Sequence, residues 1–453
     1  MVTLRGKRTP QSNFSKIPGS PIAYWVSERV VEIFEENISL GEIVSAKVGL
    51  QTGENRRFLR YWFEVSNERI FLYAKNREEA QQSGRYWFPY NKGGHYRKWY
   101  GNQEYIVNWA DDGKEIRCFT DSQGKPRSVI RNPNYYFKES VSWSDVASGG
   151  LSFRFYPHGF IYDVKGQSSF PNNKLEKEKL LALLNSNFVA KLIPLINPTV
   201  STQIGDFQKL PGIILDNSLI DSIVTDCILL SQFDWDQHEA SWHFISHQLF
   251  NNQLNSLFES YQYYCKLNSE NFFILHRNEE QINGIVNGNL YIINEINNSI
   301  PLSDITILQE ELDRDKLAEL EPLYRTKGPD AIELPIKRDV VMQQFISYAV
   351  GCMMGRYSLD HPSLILASQG ETLADYYAKL AASDVAEGAE KFTPDEDGIV
   401  PIMGTEGDFP DDALRRTEAF LDAIWGPHTR TENMNFLQEC LGMSLENYLV
   451  KHF

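Results

Sequence analysis

The stretch RYWFPYNKGGHYRKWYGNQEYIVNW, Arg85 to Trp109, decides how the first half of this chain is read. Aromatic residues crowd it, Gly, Asn and Lys interrupt them, and the run Tyr105 to Trp109 has the short aromatic and β-branched character of a strand. The same texture extends outward from Ile43 to Tyr162, with strand-like runs at Leu59 to Val65, Arg69 to Tyr73, Ser152 to Phe155 and Phe160 to Tyr162. Helical spacing flanks this region on both sides. Ser20-Pro21, followed by Ile22, Val26, Val30, Ile33 and Phe34, predicts a helix over about 21–36 with a serine cap and a proline in its first turn. Leu180, Leu183, Leu184, Phe188, Val189 and Leu192 predict another between Lys174 and Ile193, stopped by Pro194.

The remainder reads differently. Residues 213–330 are expected to be mainly helical, with the Asn-rich run Asn283 to Asn298 the least regular part. Further helices are expected near 339–357, 370–383, 411–425 and 431–450, with an acidic Pro/Gly loop from Pro394 to Pro410 between the second and third. The expected fold class is α+β: a β-rich aromatic domain with flanking helices over 1–212, a helical spacer over 213–330, and an acidic, mainly helical domain over 331–453.

The 453 residues are enough for two or three cores, and 42% hydrophobic with 13% aromatic content excludes a disordered polyelectrolyte. Cys118, Cys227, Cys265, Cys352 and Cys440 are odd in number and scattered, so neither a disulfide framework nor a zinc site is expected, and a reducing cytoplasm fits. The most apolar run, Leu180 to Ile196, is broken by Asn185, Asn187, Lys191 and Pro194, so no membrane helix is expected; the basic N-terminus lacks the apolar core of a signal peptide. The net charge of −16 hides a division. Residues 1–212 hold 29 Lys and Arg against 21 Asp and Glu, a net of +8, whereas residues 213–453 hold 15 against 39, a net of −24. A basic half of this kind points to a polyanion, and the acidic half to a partner-facing or solubilising role.

Within the basic half, residues 58–109 carry 15 of the chain's 57 aromatics, interleaved with Arg85, Lys92, Arg97 and Lys98. Aromatic planes stack on bases, Arg and Lys meet phosphates or guanine edges, and amides can pair with adenine. The alternative is an aromatic β core with solvated basic residues. A second candidate is the turn Gln51-Thr52-Gly53-Glu54-Asn55-Arg56-Arg57, whose cationic tip could reach a DNA groove, although turn chemistry alone accounts for Gly53 and Asn55. The candidate DNA-binding residues are Gln51, Thr52, Asn55, Arg56, Arg57, Lys92, Tyr96, Arg97, Lys98, Tyr100, Arg131 and Arg154. Arg97 and Lys98 are expected at the DNA surface.

Asn132-Pro133-Asn134-Tyr135 is like the Asn-Pro-Pro-Tyr motif of adenine methyltransferases but lacks its second proline, and nothing in residues 1–131 supplies the glycine-rich turn of an AdoMet pocket. It reads as an ordinary turn. His238, Glu239, His243 and His247 lie at helical spacing without His-Glu-x-x-His order, and Asp395-Glu396-Asp397-Gly398 lacks the spacing of a calcium loop, so no metal is expected. Ala349 to Gly355, AVGCMMG, reads as core packing with Cys352 buried. Neither a phosphate-binding Lys-Ser/Thr loop nor a Gly-x-Ser-x-Gly elbow occurs.

Several long motifs carry a family resemblance: Ile17 to Trp25, Gly49 to Gly53, Trp87 to Trp109, Ser128 to Tyr136, Phe155 to Phe160, Leu183 to Ser186, Asn197 to Thr199, Gly205-Asp206, Phe233 to Trp235, Gly351 to Leu359 and Pro394 to Asp397. Together they resemble the C-terminal half of the PglX adenine-specific DNA methyltransferases of BREX phage-defence systems. The resemblance covers most of the chain and is weakest between about 250 and 335. It implies a target-recognition region joined to a helical spacer and a C-terminal domain, with double-stranded DNA, a methyltransferase catalytic domain and other BREX proteins as partners. In that family the AdoMet-binding domain with Asn-Pro-Pro-Tyr precedes this region, which implies that the chain is an excised piece or a split-gene product. No cofactor is then expected in this chain, AdoMet belonging to the complete methyltransferase, and the chain alone is expected to be inactive. The rival class is a structural module that binds other defence proteins.

Overall fold

The computed structural model describes residues 17–18, 26–146, 149–251, 253–385, 388–403, 409 and 411–453. The fold is α+β, as expected. It divides into two compact units: the described residues up to Trp62 with 69–232 and 275–300, and residues 63–68 with 233–274 and the described residues from Pro301 onward.

The first unit holds two four-stranded sheets. One runs in the order β1 (Ser45–Lys47), β8 (Gly166–Phe170), β5 (Ser140–Ser144), β6 (Phe153–Tyr156), antiparallel throughout. The other runs β2 (Leu59–Tyr61), β4 (Tyr105–Asn108), β3 (Trp87–Asn91), β7 (Ile161–Tyr162), with only the two-residue β3–β7 pairing parallel. Serines crowd the centre of the first sheet, and two of them are buried with acceptors in hand: Ser142 Oγ donates to Gln167 O at 2.7 Å and Ser169 Oγ to Val141 O at 2.9 Å. Asn91 reaches from β3 to the other sheet, its Nδ2 donating to Ser142 Oγ at 2.6 Å. Residues 62–64 turn into a 3-10 helix, and Arg69 to Tyr73 contributes one bridge, Ile70 to Trp87, so those two expected strands are shorter or absent.

The aromatics that dominate the sequence form the core between these elements. Trp109 meets Tyr136 edge-on at 5.3 Å, Tyr136 meets Tyr162 at 5.4 Å, and Phe88 meets Phe137 at 5.7 Å. Each such pair adds about 0.5–1.5 kcal/mol beyond its area burial. Helix Glu28–Glu36 starts at a Ser27 cap, whose Oγ accepts from Val30 N; the earlier start expected at Pro21 lies outside the described residues. The helix expected between Lys174 and Ile193 is two helices, Lys177–Leu184 and Asn187–Ile196, bent by 67°. The break falls at Ser186, whose hydroxyl caps the second helix by accepting from Val189 N, and Pro194 lies inside that helix instead of ending it. By length and composition this bent pair could span a bilayer, but Leu180 to Leu184, Phe188, Val189, Leu192 and Ile193 are buried in the protein. No single helix among the described residues is long and apolar enough to cross a membrane.

In the second unit, helices Arg338–Met353, Ala413–Trp425, Arg430–Leu441 and Leu445–His452 pack Phe345, Tyr348, Phe420, Trp425, Leu437 and Leu441 into one core. The last two were expected as one helix. Gly442, at φ +66, ends the first of them and Ser444 caps the next by accepting from Asn447 N. Ala349, Cys352 and Met353 are core residues, and burial raises the Cys352 thiol above its ordinary range. The histidines expected on one helix instead lie in the turns and irregular chain after helix Leu219–Asp236, and His238 and His247 are structural as well. His238 places its two ring nitrogens 2.8 Å from Asp234 O and from Glu311 Oε1; both partners are acceptors, so the ring is read as the imidazolium. No group of three or more side chains suited to a metal occurs among the described residues.

This unit carries a pH liability. Burial, with the nearby His238, pushes His247 down to about 3. Its unfolded counterpart binds a proton near pH 6.5, so stability drains away as pH falls below that value. Glu311 is held down at about 2 by its hydrogen bond to His238 and by Gln344, against the cost of its burial, and its contribution drains away only below about pH 4.5. Thermal melts should show about 2–4 kcal/mol lost between pH 7 and pH 4, most of it from His247. The variant His247→Asn, which can still accept from Leu249 N, should flatten the melt profile between pH 6.5 and 4.5. An unchanged profile would remove His247 from the account.

Candidate nucleic-acid interface

Two loops of the first unit form one composite prominence. Gln51 and Val129 exchange backbone hydrogen bonds of 2.9 and 2.8 Å, which join the 51–57 turn to the segment after residue 119. Gly53 permits the closeness. It sits at φ +78, and a Cβ there would lie 2.5 Å from Arg127 O. Within the turn, Thr52 is buried and its Oγ1 donates to Asn55 Oδ1 at 2.6 Å, while Gln51, Asn55, Arg56 and Arg57 are exposed. Arg57 is answered by Glu115 at 2.7 Å and Arg127, loosely, by Glu54 at 3.8 Å. Both guanidiniums lie 5.0 Å from the centre of the Phe119 ring, which Phe58 supports edge-on at 5.3 Å.

Residues 119–127 make a hairpin. Thr120 bridges Pro126, Arg127 N donates to Phe119 O at 3.0 Å, and Asp121 Oδ1 accepts from the amides of Gln123 and Lys125 at 2.9 Å each. Every residue from Thr120 to Arg127 is exposed, and Arg131 is exposed just beyond. Arg56, Arg57, Lys125, Arg127 and Arg131 thus stand against Glu54, Glu115 and Asp121, so the prominence is net positive. The sequence pointed to the turn and to Arg131. It missed the hairpin, whose only advance signal was Asp121-Ser122-Gln123-Gly124-Lys125, a turn composition flanked by basic residues.

The expectation for Arg97 and Lys98 does not hold in this fold. Arg97 is 5% exposed, with Nε donating to Tyr100 O at 2.9 Å and a terminal nitrogen to Ser231 O at 3.3 Å. Lys98 is 6% exposed and its ammonium meets Glu279 at 2.6 Å, while the other oxygen of that carboxylate accepts from Trp99 Nε1 at 2.7 Å. Arg154 is wholly buried and donates to Arg97 O at 2.9 Å and Ser144 Oγ at 3.1 Å. Tyr100 is buried too. These residues brace the loop from within, where no duplex can touch them. Lys92 is half-buried with its ammonium 4.7 Å from the Tyr105 ring centre, and Tyr96 is half-buried against Gly149.

The Asn132 turn is also committed to structure. Its side-chain amide donates to Val48 O at 2.9 Å although Asn132 is exposed, and the half-buried Tyr135 ring is flanked by Lys47 and Lys138 at 5.3 and 5.1 Å and packs on Phe170 at 4.7 Å. An AdoMet crevice is built at the ends of parallel strands that lead through a glycine-rich turn into a helix. Among the described residues the parallel ladder is limited to the two pairs of β3 with β7, so these residues do not fit that cofactor.

No family model matches the chain. It is 35% identical over 439 residues to the adenine-specific methyltransferase BrxX of Escherichia coli O9:H4 (strain HS), and 34% identical over 445 residues to the adenine-specific methyltransferase PglX of Lacticaseibacillus casei (strain Zhang). Each match covers 96% of this chain and 33% of the relative, so the chain spans about a third of the length of these relatives. Over nearly its whole length the chain belongs to the adenine-specific methyltransferase family of BrxX and PglX.

Proposed function

We propose that this chain is the DNA-recognition region of an adenine N6 methyltransferase of BREX type, which selects the sites on double-stranded host DNA that are marked against phage defence. AdoMet binding and methyl transfer then belong to a part of the family's length that this chain does not span. The observation that carries the reading is the prominence of turn 51–57 and hairpin 119–127: exposed, braced from beneath, net positive and rich in amides, on a chain related to adenine-specific methyltransferases. The acidic second half suits contacts with proteins, the role the reading gives it within the whole enzyme.

Gel shifts of duplex DNA across a salt series test the proposal. Binding should weaken linearly in log–log terms as salt rises, and Arg56→Ala or Arg131→Ala should each flatten the slope by about 0.9 per phosphate contact removed. Failure of the folded chain to retard any duplex at 20 mM salt would sink the reading and leave a protein-binding module as the better account.

A further inference from the structure

The hairpin between Phe119 and Arg127 combines features that the rest of the prominence lacks. We infer that it is the element that reads base identity, with Gln123 and Lys125 as specificity-determining side chains; this rests on the DNA-recognition reading above. Every residue from Thr120 to Arg127 is exposed, so the hairpin presents its side chains to solvent. It is nonetheless held in shape. Asp121 closes the tip through its carboxylate and through two backbone bonds, Asp121 N to Lys125 O at 2.9 Å and Gly124 N to Asp121 O at 3.1 Å. Gly124, at φ +80, supplies the left-handed residue the turn requires. A tip shaped before binding has less conformational entropy to lose on the duplex.

The side chains at the tip are chemically uncommitted. Arg57 and Arg127, at the base, already have carboxylate partners, and Asp121 is occupied by the hairpin's own amides. The Gln123 amide and the Lys125 ammonium have no side-chain hydrogen bond or ion pair with any described residue. A glutamine can bond bidentately to the N6 and N7 edge of adenine, and a lysine can donate to O6 and N7 of guanine. The dimensions agree. Paired strands lie about 5 Å apart, and a major groove about 12 Å wide admits a two-stranded ribbon. The Phe119 base, flanked by two guanidiniums, then lies at groove-lip level, where exposed ion pairs exchange readily for phosphate because they contribute little by themselves.

The test uses the full chain and a pool of duplexes with a randomised core, selected by binding and sequenced. The native chain should enrich a motif. Gln123→Ala should lose the preference at one base position, with about 5- to 100-fold weaker binding to the enriched sequence and less than about threefold change on the unselected pool. Lys125→Ala should behave likewise at a neighbouring position, whereas Arg56→Ala should weaken all sequences alike and keep the motif. Both tip side chains are exposed, and matched thermal melts establish that the variants fold. A motif that survives both tip substitutions unchanged, or a native chain that binds duplexes without enriching any motif, overturns the inference and leaves DNA binding in place. A native chain that binds no duplex overturns the inference together with the proposed function.

Discussion

Replacing Lys98 with alanine is expected to destabilise the chain by about 3–5 kcal/mol, the usual cost of removing one partner from a buried ion pair. Glu279, its partner, has a side chain only 2% exposed, and would keep a buried carboxylate with Trp99 Nε1 as its one short bond. The magnitude comes from the stranded charge more than from the attraction lost, because bringing both ions out of water already offsets much of that attraction. The double variant Lys98→Met with Glu279→Gln should therefore recover a large part of the loss, since it removes both charges while the amide oxygen still accepts from Trp99. Urea unfolding of the two variants and the native chain distinguishes these cases. A loss below about 1 kcal/mol for Lys98→Ala would mean that water reaches Glu279 and that the pair is not a structural brace. The same result would reopen a surface role for this loop.

A piece ending at Gly212 is expected to lose its cooperative melt altogether. Three ties would go at once: Ser231 O from Arg97, the Glu279 carboxylate from Lys98 and Trp99, and the Asn283 Oδ1 that accepts from Asn187 N at 2.8 Å. Each tie lost costs about 0.5–1.5 kcal/mol for a neutral hydrogen bond and about 1.5–3 kcal/mol where one partner is charged, on top of the apolar surface that the removed residues no longer cover. The sum rivals the 5–15 kcal/mol that stabilises an ordinary domain. Circular dichroism and a calorimetric melt of the piece decide the matter. A sharp transition within a few degrees of the native chain would show that residues 213–232 and 275–300 only decorate the basic half. The gain in DNA affinity that shedding the −24 half should bring at low salt through long-range fields could then be measured on a folded piece.

The charge division, the aromatic β region and most of the later helices were legible because they are written in local composition and in spacings of two and of three to four residues. Strands β2, β4, β6 and β7 lie within or overlap runs that announce themselves by aromatic and branched residues. Strand β8, GQSSF, carries little such signal, and β5, SVSWS, shows it only in the alternation of Val141 and Trp143, which the expected strands do not include. Their serines become strand residues only when a neighbouring strand supplies acceptors. Asn283, Asn287 and Asn298 are similar: an Asn-rich run looks irregular in one dimension, yet the first two continue a helix, and Asn287 bonds Asn298 at 2.7 Å.

For the site, the sequence by itself determined residue chemistry: a basic, aromatic half, an amide-bearing turn at Gln51 to Arg57, and an Asn132 turn without a cofactor loop. Only the tertiary structure decided which cations remain available to a ligand. Arg97, Lys98 and Arg154 look identical in the sequence to Arg56, Lys125 and Arg131, since a formal charge does not reveal whether Glu279 or a row of backbone carbonyls lies within 3 Å of it. That partner comes from residue 279, 181 positions away from Lys98. Local periodicity carries no information at such a separation, and burial of a charge is set by the contacts that long-range packing brings together.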